Sequence, residues 1–197
     1  MDINELKRRI SSLANLPALP PVVQDAMGGG DVFSSGAFGD ACPLDAPLVQ
    51  ELMRRAEALP PHDPPADLAV ALSRLGRSES ARLLIQHSVP ALFPPAPGQG
   101  LDLEAFWRHA HTAGILADRM ACTINLANAH LAYAAGFCHD IGKLALSTLL
   151  PDGYTRAIEM AHAHGLQALE AERRELGLDH TLAGKWLAEA WRLPGPV

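Results

Sequence analysis

A histidine beside an aspartate closes the apolar run Ala134-Ala135-Gly136-Phe137-Cys138-His139-Asp140-Ile141-Gly142-Lys143-Leu144, and no other stretch of this 197-residue chain has as much chemical content. A neutral imidazole and a hard carboxylate can ligate one divalent ion, or bridge two, when other donors converge on them. The dipeptide alone carries little, because nine His and twelve Asp in 197 residues give about half of one such pair by chance. A second copy, His62-Asp63, lies between Pro60-Pro61 and Pro64-Pro65. Those prolines forbid a continuous helix, so that copy reads as linker. Consecutive residues of a helix diverge by about 100°, so His139 and Asp140 can share an ion only where their helix loosens, and Gly142 is placed to terminate it. Lys143 then stands where it could meet a phosphate or neutralise the negative end of the helix.

Further histidines are sorted by the faces they occupy. From Leu103 to Ile124 the residues Phe106, Ala110, Ala113, Ala117, Met120 and Ile124 share one helical face. His109 lies next to it, whereas His111 is turned away by about 200°. One of the two can therefore look inward, and His109 is the one chosen. His180 precedes Ala183 and Leu187 by one and two helical turns, on the inward side of the last helix at its start. His162 and His164 fall on different faces and read as surface residues.

The elements that must position these groups are helical by composition: 48% apolar residues and only 5% aromatic, with alanine and leucine dominant. A net charge of -6 argues against a broad phosphate-binding face, so no DNA partner is expected. Cys42, Cys122 and Cys138 are odd in number and lack C-x-x-C spacing, which predicts a reducing compartment and no disulfide frame. No run approaches the ~20 apolar residues of a membrane span, and the first residues do not read as a signal peptide. A soluble, cytoplasmic protein is the expectation.

In chain order, Ile3, Leu6, Ile10 and Leu13 mark a first helix. Pro20 or Pro21 suits the first turn of a second, through Val22, Val23 and Met27. Residues 28–43 are rich in Gly, Ser and Asp and read as a connector. Helices follow over 44–59 and from Asp67 to Leu75, the latter stopped by Gly76, with another through Leu84 and Ile85. Pro94-Pro95-Ala96-Pro97-Gly98-Gln99-Gly100 has the composition of a linker. Asn128 is a candidate cap for the helix leading to Asp140. Pro151-Asp152-Gly153 reads as a turn before two helical pieces, Tyr154 to His164 and Leu166 to Leu176.

His139-Asp140-Ile141-Gly142-Lys143 resembles the HD superfamily of metal-dependent phosphohydrolases, and within it the HD-GYP phosphodiesterases and the HD-related output domain, HDOD. Leu16-Pro17-Ala18-Leu19-Pro20, Asp45-Ala46-Pro47-Leu48-Val49, Ala71 to Gly76 and Phe106-Trp107-Arg108-His109 resemble HDOD segments. Glu57-Ala58-Leu59-Pro60-Pro61 stands where that family has an Asn-Ser motif. No further aspartate or Gly-Tyr-Pro loop follows His180, which moves the resemblance from HD-GYP toward HDOD.

The resemblance implies an all-α, HD-domain-like helical bundle with an additional N-terminal helical lobe. Residues 1–93 form that lobe, 94–100 a linker, and 101–197 the HD-like lobe. It also implies His109, His139, Asp140 and His180 as a metal set. Three imidazoles and a carboxylate suit iron, manganese, zinc or nickel better than magnesium alone. The function implied is a bacterial signalling or regulatory module that acts through protein partners without catalysis. A nucleotide ligand and a homo-oligomer are left open. The alternative is a metal-dependent phosphohydrolase in which Lys143 stabilises charge.

Overall fold

The computed structural model describes residues 2–28, 46–96, 98, 100–126 and 129–193, and every regular element among them is a helix. The predicted connector from residue 29 onward, Cys42 and the Asn128 cap lie outside the described residues. Helix α1 (Ile3–Ser11) buries Leu6 and Ile10, and α2 (Pro21–Gly28) opens on Pro21 and buries Val22, Val23, Ala26 and Met27. Proline is tolerated there because the first N–H groups of a helix have no partner within it. Helix α3 (Ala46–Glu57) turns Leu48, Leu52 and Ala56 inward.

Helix α4 (Leu68–Ala91) begins at Asp67, whose side chain accepts from the Val70 N–H, and is broken at Gly76 (φ 73, ψ 169). That conformation is open to glycine and not to L side chains, so the expected stop becomes a kink after which the helix resumes at once. His62 and Asp63 are exposed ahead of it, with the Asp63 carboxylate paired to Arg74, as suits a linker.

Helix α5 (Leu103–Thr123) is capped by Asp102, which accepts from the Ala105 N–H, and packs most extensively on α6 (Ala129–Cys138). The two approach closely where Gly136 meets Ala113 and Ala117 and where Gly114 meets Tyr133. The predicted inward face of α5 is turned to one side of the buried one. The helix buries Phe106, Ala110, Gly114 and Ala121, a strip that reaches its last turn, while Met120 and Ile124, 69% and 71% exposed, stand off that strip.

Helix α7 (Gly142–Leu149) leads directly into α8 (Pro151–His164). Pro151-Asp152-Gly153 is thus not a turn but the first turn of α8, with Pro151 in the position proline favours. Gly165, left-handed at φ 62, closes α8 before α9 (Ala168–Leu176) and α10 (His180–Ala190). One hydrophobic core joins α1 and α2 to the later helices. Helix α1 packs on α10, and the Trp191 indole N–H donates to the Pro17 carbonyl at 2.8 Å. Phe93 lies against both Trp107 and Trp191, and Trp107 stacks on Phe137 with ring centres 5.7 Å apart. This aromatic seam seats the α5–α6 pair that carries the first histidines.

Candidate metal centre

Helix α6 ends at Cys138, and residues 139–141 form a turn before α7. The loosening required for His139 and Asp140 to face one point is present. Gly142 does not end the helix, however; it begins the next one. Its role is close approach: a Cβ there would lie 1.9 Å from the His180 carbonyl oxygen and 2.5 Å from the Gly184 nitrogen. Helices α7 and α10 therefore meet backbone to backbone, which brings the start of α10 beside Asp140.

His109 Nε2 and His139 Nε2 are 3.2 Å apart, and they lie 3.6 and 3.5 Å from Asp140 Oδ2. Donors bound at about 2.0–2.2 Å to one tetrahedral or octahedral ion stand roughly 3.0–3.5 Å from one another, so two imidazoles and a carboxylate at these spacings fit a single ion. Among the described residues this is the one group of three or more such donors that converge. His139 Nδ1 donates to the Gly136 carbonyl at 2.7 Å, which fixes the tautomer and leaves Nε2 facing His109. The site is open on one side, with the His109 side chain 59% exposed and that of Asp140 only 10%.

His111 departs from its expected place. Both histidines flank the buried strip of α5, His109 on one side toward His139, and His111 on the other toward Tyr133 and the edge of Phe137. In burial the expected assignment is reversed, since His109 is exposed and His111 is the more buried of the two, although His109 does reach His139. His111 is half-buried, and that burial lowers its pKa.

His180 is buried at the start of α10, whose cap Asp179 accepts from the Thr181 and Leu182 N–H groups and pairs with Arg173. Its Nε2 is 3.3 Å from Asp140 Oδ1, whereas His109 and His139 meet Oδ2, and its Nδ1 is 2.6 Å from Glu172 Oε2. Both ring nitrogens are thus engaged, and His180 stands outside the converging group. Lys143 donates to Asp140 Oδ2 at 2.6 Å, one turn along.

Glu172, on α9, is the site residue that sequence reasoning missed. It sits among Arg173, Arg174 and Glu175, a run that looks solvated, yet it is almost fully buried. The available signal was its spacing of four from Ala168 and from Leu176, which packs on the core.

Burial would raise the Asp140 pKa, but hydrogen bonds from His180 and Lys143 hold it well below the usual carboxylate range. Burial likewise opposes charge on His180, yet its bonds to Asp140 and Glu172 outweigh it and push the imidazole up to about 9. An unfolded histidine titrates near ~6.5, so this group stabilises the metal-free fold fully below that pH and loses its contribution as pH rises toward 9. The thermal midpoint should fall across that window, by on the order of 1–3 kcal/mol in stability, and the fall should flatten in His180→Gln. A midpoint with the same slope in both proteins would refute the assignment.

Cys138 cannot serve His139 as a nucleophile. Its thiol is buried and pushed up to about 12. Peptide mapping after maleimide treatment should find label on exposed Cys122 and none on Cys138 until the chain is unfolded.

The sequence matches the HDOD domain over residues 63–197, the stretch that contains every residue of this site. The chain belongs to the HDOD family. An HDOD domain protein of unknown function from Geobacter sulfurreducens has a similar solved structure, with TM-score 0.76 and 21% identity over 98% of this chain and 67% of that one. A protein from Shewanella amazonensis SB2B described as a candidate phosphohydrolase is similar at TM-score 0.71 and 24% identity, over 96% of this chain and 67% of its own. At these identities the two structures establish the all-α HDOD fold and nothing finer. No curated protein matches the chain. Among the described residues no helix is long and apolar enough to cross a membrane.

Proposed function

We propose that this HDOD chain is a regulatory module that holds one divalent transition ion at His109, His139 and Asp140 and acts through contact with a signalling protein, not by phosphoester hydrolysis. The observation that carries the metal reading is the triangle of donors at 3.2, 3.5 and 3.6 Å. Two imidazoles and one carboxylate suit iron, manganese, zinc or nickel, and an ion held by three protein donors keeps positions open for water or a ligand. When bound, it would lower the pKa of a coordinated water.

Support for a non-catalytic role comes from how Asp140 is already used. A two-ion clamp on a phosphoester needs a carboxylate free to bridge. Here Oδ1 faces His180 and Oδ2 is shared with Lys143. Lys143 beside the open site is the feature that favours the second reading, a metal-dependent phosphohydrolase, since its ammonium could meet a phosphate.

Elemental analysis of the purified chain should find about one ion per chain, removed in His139→Ala. Assays on cyclic dinucleotides and on bis(p-nitrophenyl) phosphate should show no metal-dependent turnover. Turnover that needs the metal and is lost in His139→Ala would replace the regulatory reading with the hydrolytic one.

A further inference from the structure

We infer that Glu172 and His180 form a positioning pair for Asp140. Glu172 sets the His180 ring, and His180 holds Oδ1, so that Oδ2 is the carboxylate oxygen presented to the ion. This rests on the metal reading of the site and reassigns His180 within it, from a fourth ligand to a residue that acts through Asp140.

The geometry is specific. Glu172 Oε2 accepts both the backbone N–H of His180, at 2.7 Å, and its Nδ1, at 2.6 Å. One carboxylate oxygen thus fixes the position of the residue and the rotation of its ring together. Burying a carboxylate is costly, and in this one Oε2 makes both bonds, each to the same histidine, while the buried Oε1 has no hydrogen-bond partner among the described residues. The ring so fixed turns Nε2 to Asp140 Oδ1 at 3.3 Å.

Oδ2 is the oxygen that lies within 3.6 Å of both His109 and His139. The α7–α10 crossing makes the arrangement rigid, since Gly184 lies against Gly142 with no side chain between them. A carboxylate held at one oxygen by a fixed donor offers the other in a defined direction, and here that other oxygen, Oδ2, also receives Lys143 at 2.6 Å. Partners of this outer kind commonly change metal affinity by ~10- to 100-fold when removed.

The test is titration of cobalt(II) into the full chain, followed by its visible absorption and by competition with a chelator. Glu172→Gln keeps the shape and one acceptor oxygen, and His180→Gln removes the ring. Both should bind ~10- to 100-fold more weakly than wild type, with the same stoichiometry and the same absorption spectrum, because the three donors are unchanged. A His109→Ala variant should alter the spectrum itself.

Imidazole nitrogen NMR of the wild-type chain gives a readout independent of any substitution. On zinc addition the Nε2 signals of His109 and His139 should take metal-bound shifts, and that of His180 should not. A metal-bound shift at His180, or a cobalt spectrum changed by His180→Gln, overturns the inference in favour of a fourth ligand. If wild type binds and both variants match it, this inference alone fails. A wild-type chain that binds no ion removes the metal reading and the inference with it.

Discussion

Gly142→Ala should abolish the native fold or cost at least about 3 kcal/mol, as judged by urea denaturation followed by circular dichroism. The added methyl would stand 1.9 Å from the His180 carbonyl oxygen, 2.5 Å from the Gly184 nitrogen and 2.9 Å from the His180 carbonyl carbon. All three are backbone atoms of α10, so no side chain can rotate aside. Relief requires α7 and α10 to separate. Separation would draw His180 off Asp140 and open the core around Leu144, Ala183 and Leu187.

Two other glycines calibrate the effect. A methyl at Gly184 would meet its nearest neighbour at 3.3 Å, so Gly184→Ala should cost less, roughly 1–2 kcal/mol. Gly165 is left-handed at φ 62 with open space around it, and Gly165→Asn should stay within about 1 kcal/mol of wild type. A folded Gly142→Ala protein with the wild-type urea midpoint would show that the α7–α10 crossing is looser than described.

Periodicity was enough to read the helices and the sides on which most of their residues lie, because a helix buries one face and the spacing of apolar residues records it. Leu6 and Ile10, Leu48 and Leu52, and Ala183, Trp186 and Leu187 all sit where their spacing places them. The His-Asp turn was legible for a different reason: its residue types are rare together at the end of an apolar run.

What spacing does not record is how long a neighbouring element is or where it crosses. Met120 and Ile124 keep the period of the face read from the sequence, but the buried strip of α5 runs beside it, through Phe106, Ala110, Gly114 and Ala121. Gly142 shows the same limit for a single residue. A glycine that ends a helix and a glycine that admits another backbone look alike in sequence, and only the position of α10 tells them apart. Glu172 was hidden by its charged neighbours, since burial of one carboxylate among solvated ones depends on a histidine eight residues later.

Asp140→Asn should remove metal binding and lower stability by on the order of 2–4 kcal/mol, the second large effect. The carboxylate receives Lys143 at 2.6 Å and faces His180 at 3.3 Å, with side-chain exposures of 22% and 8% for those partners. Asparagine fills the same space but carries no charge, and its amide N–H₂ must face one of two groups that are themselves donors. Two cationic side chains would be left at the edge of the core without their counter-charge, which is costlier than losing one hydrogen bond.

The acid limb of the stability curve should change with it. The folded Asp140 pKa is depressed, so its contribution is present above ~3.9 and is lost as pH falls toward the folded value. Wild type should therefore lose stability below pH ~4 more steeply than Asp140→Asn. Asp63→Asn, in the other His-Asp pair, is the matched control. Asp63 is 59% exposed and Arg74 keeps its bond to the Asp63 backbone carbonyl, so that change should cost less than about 1 kcal/mol and leave metal content untouched. Equal effects of the two substitutions would mean that the His139-Asp140 turn is no more a site than its copy in the linker.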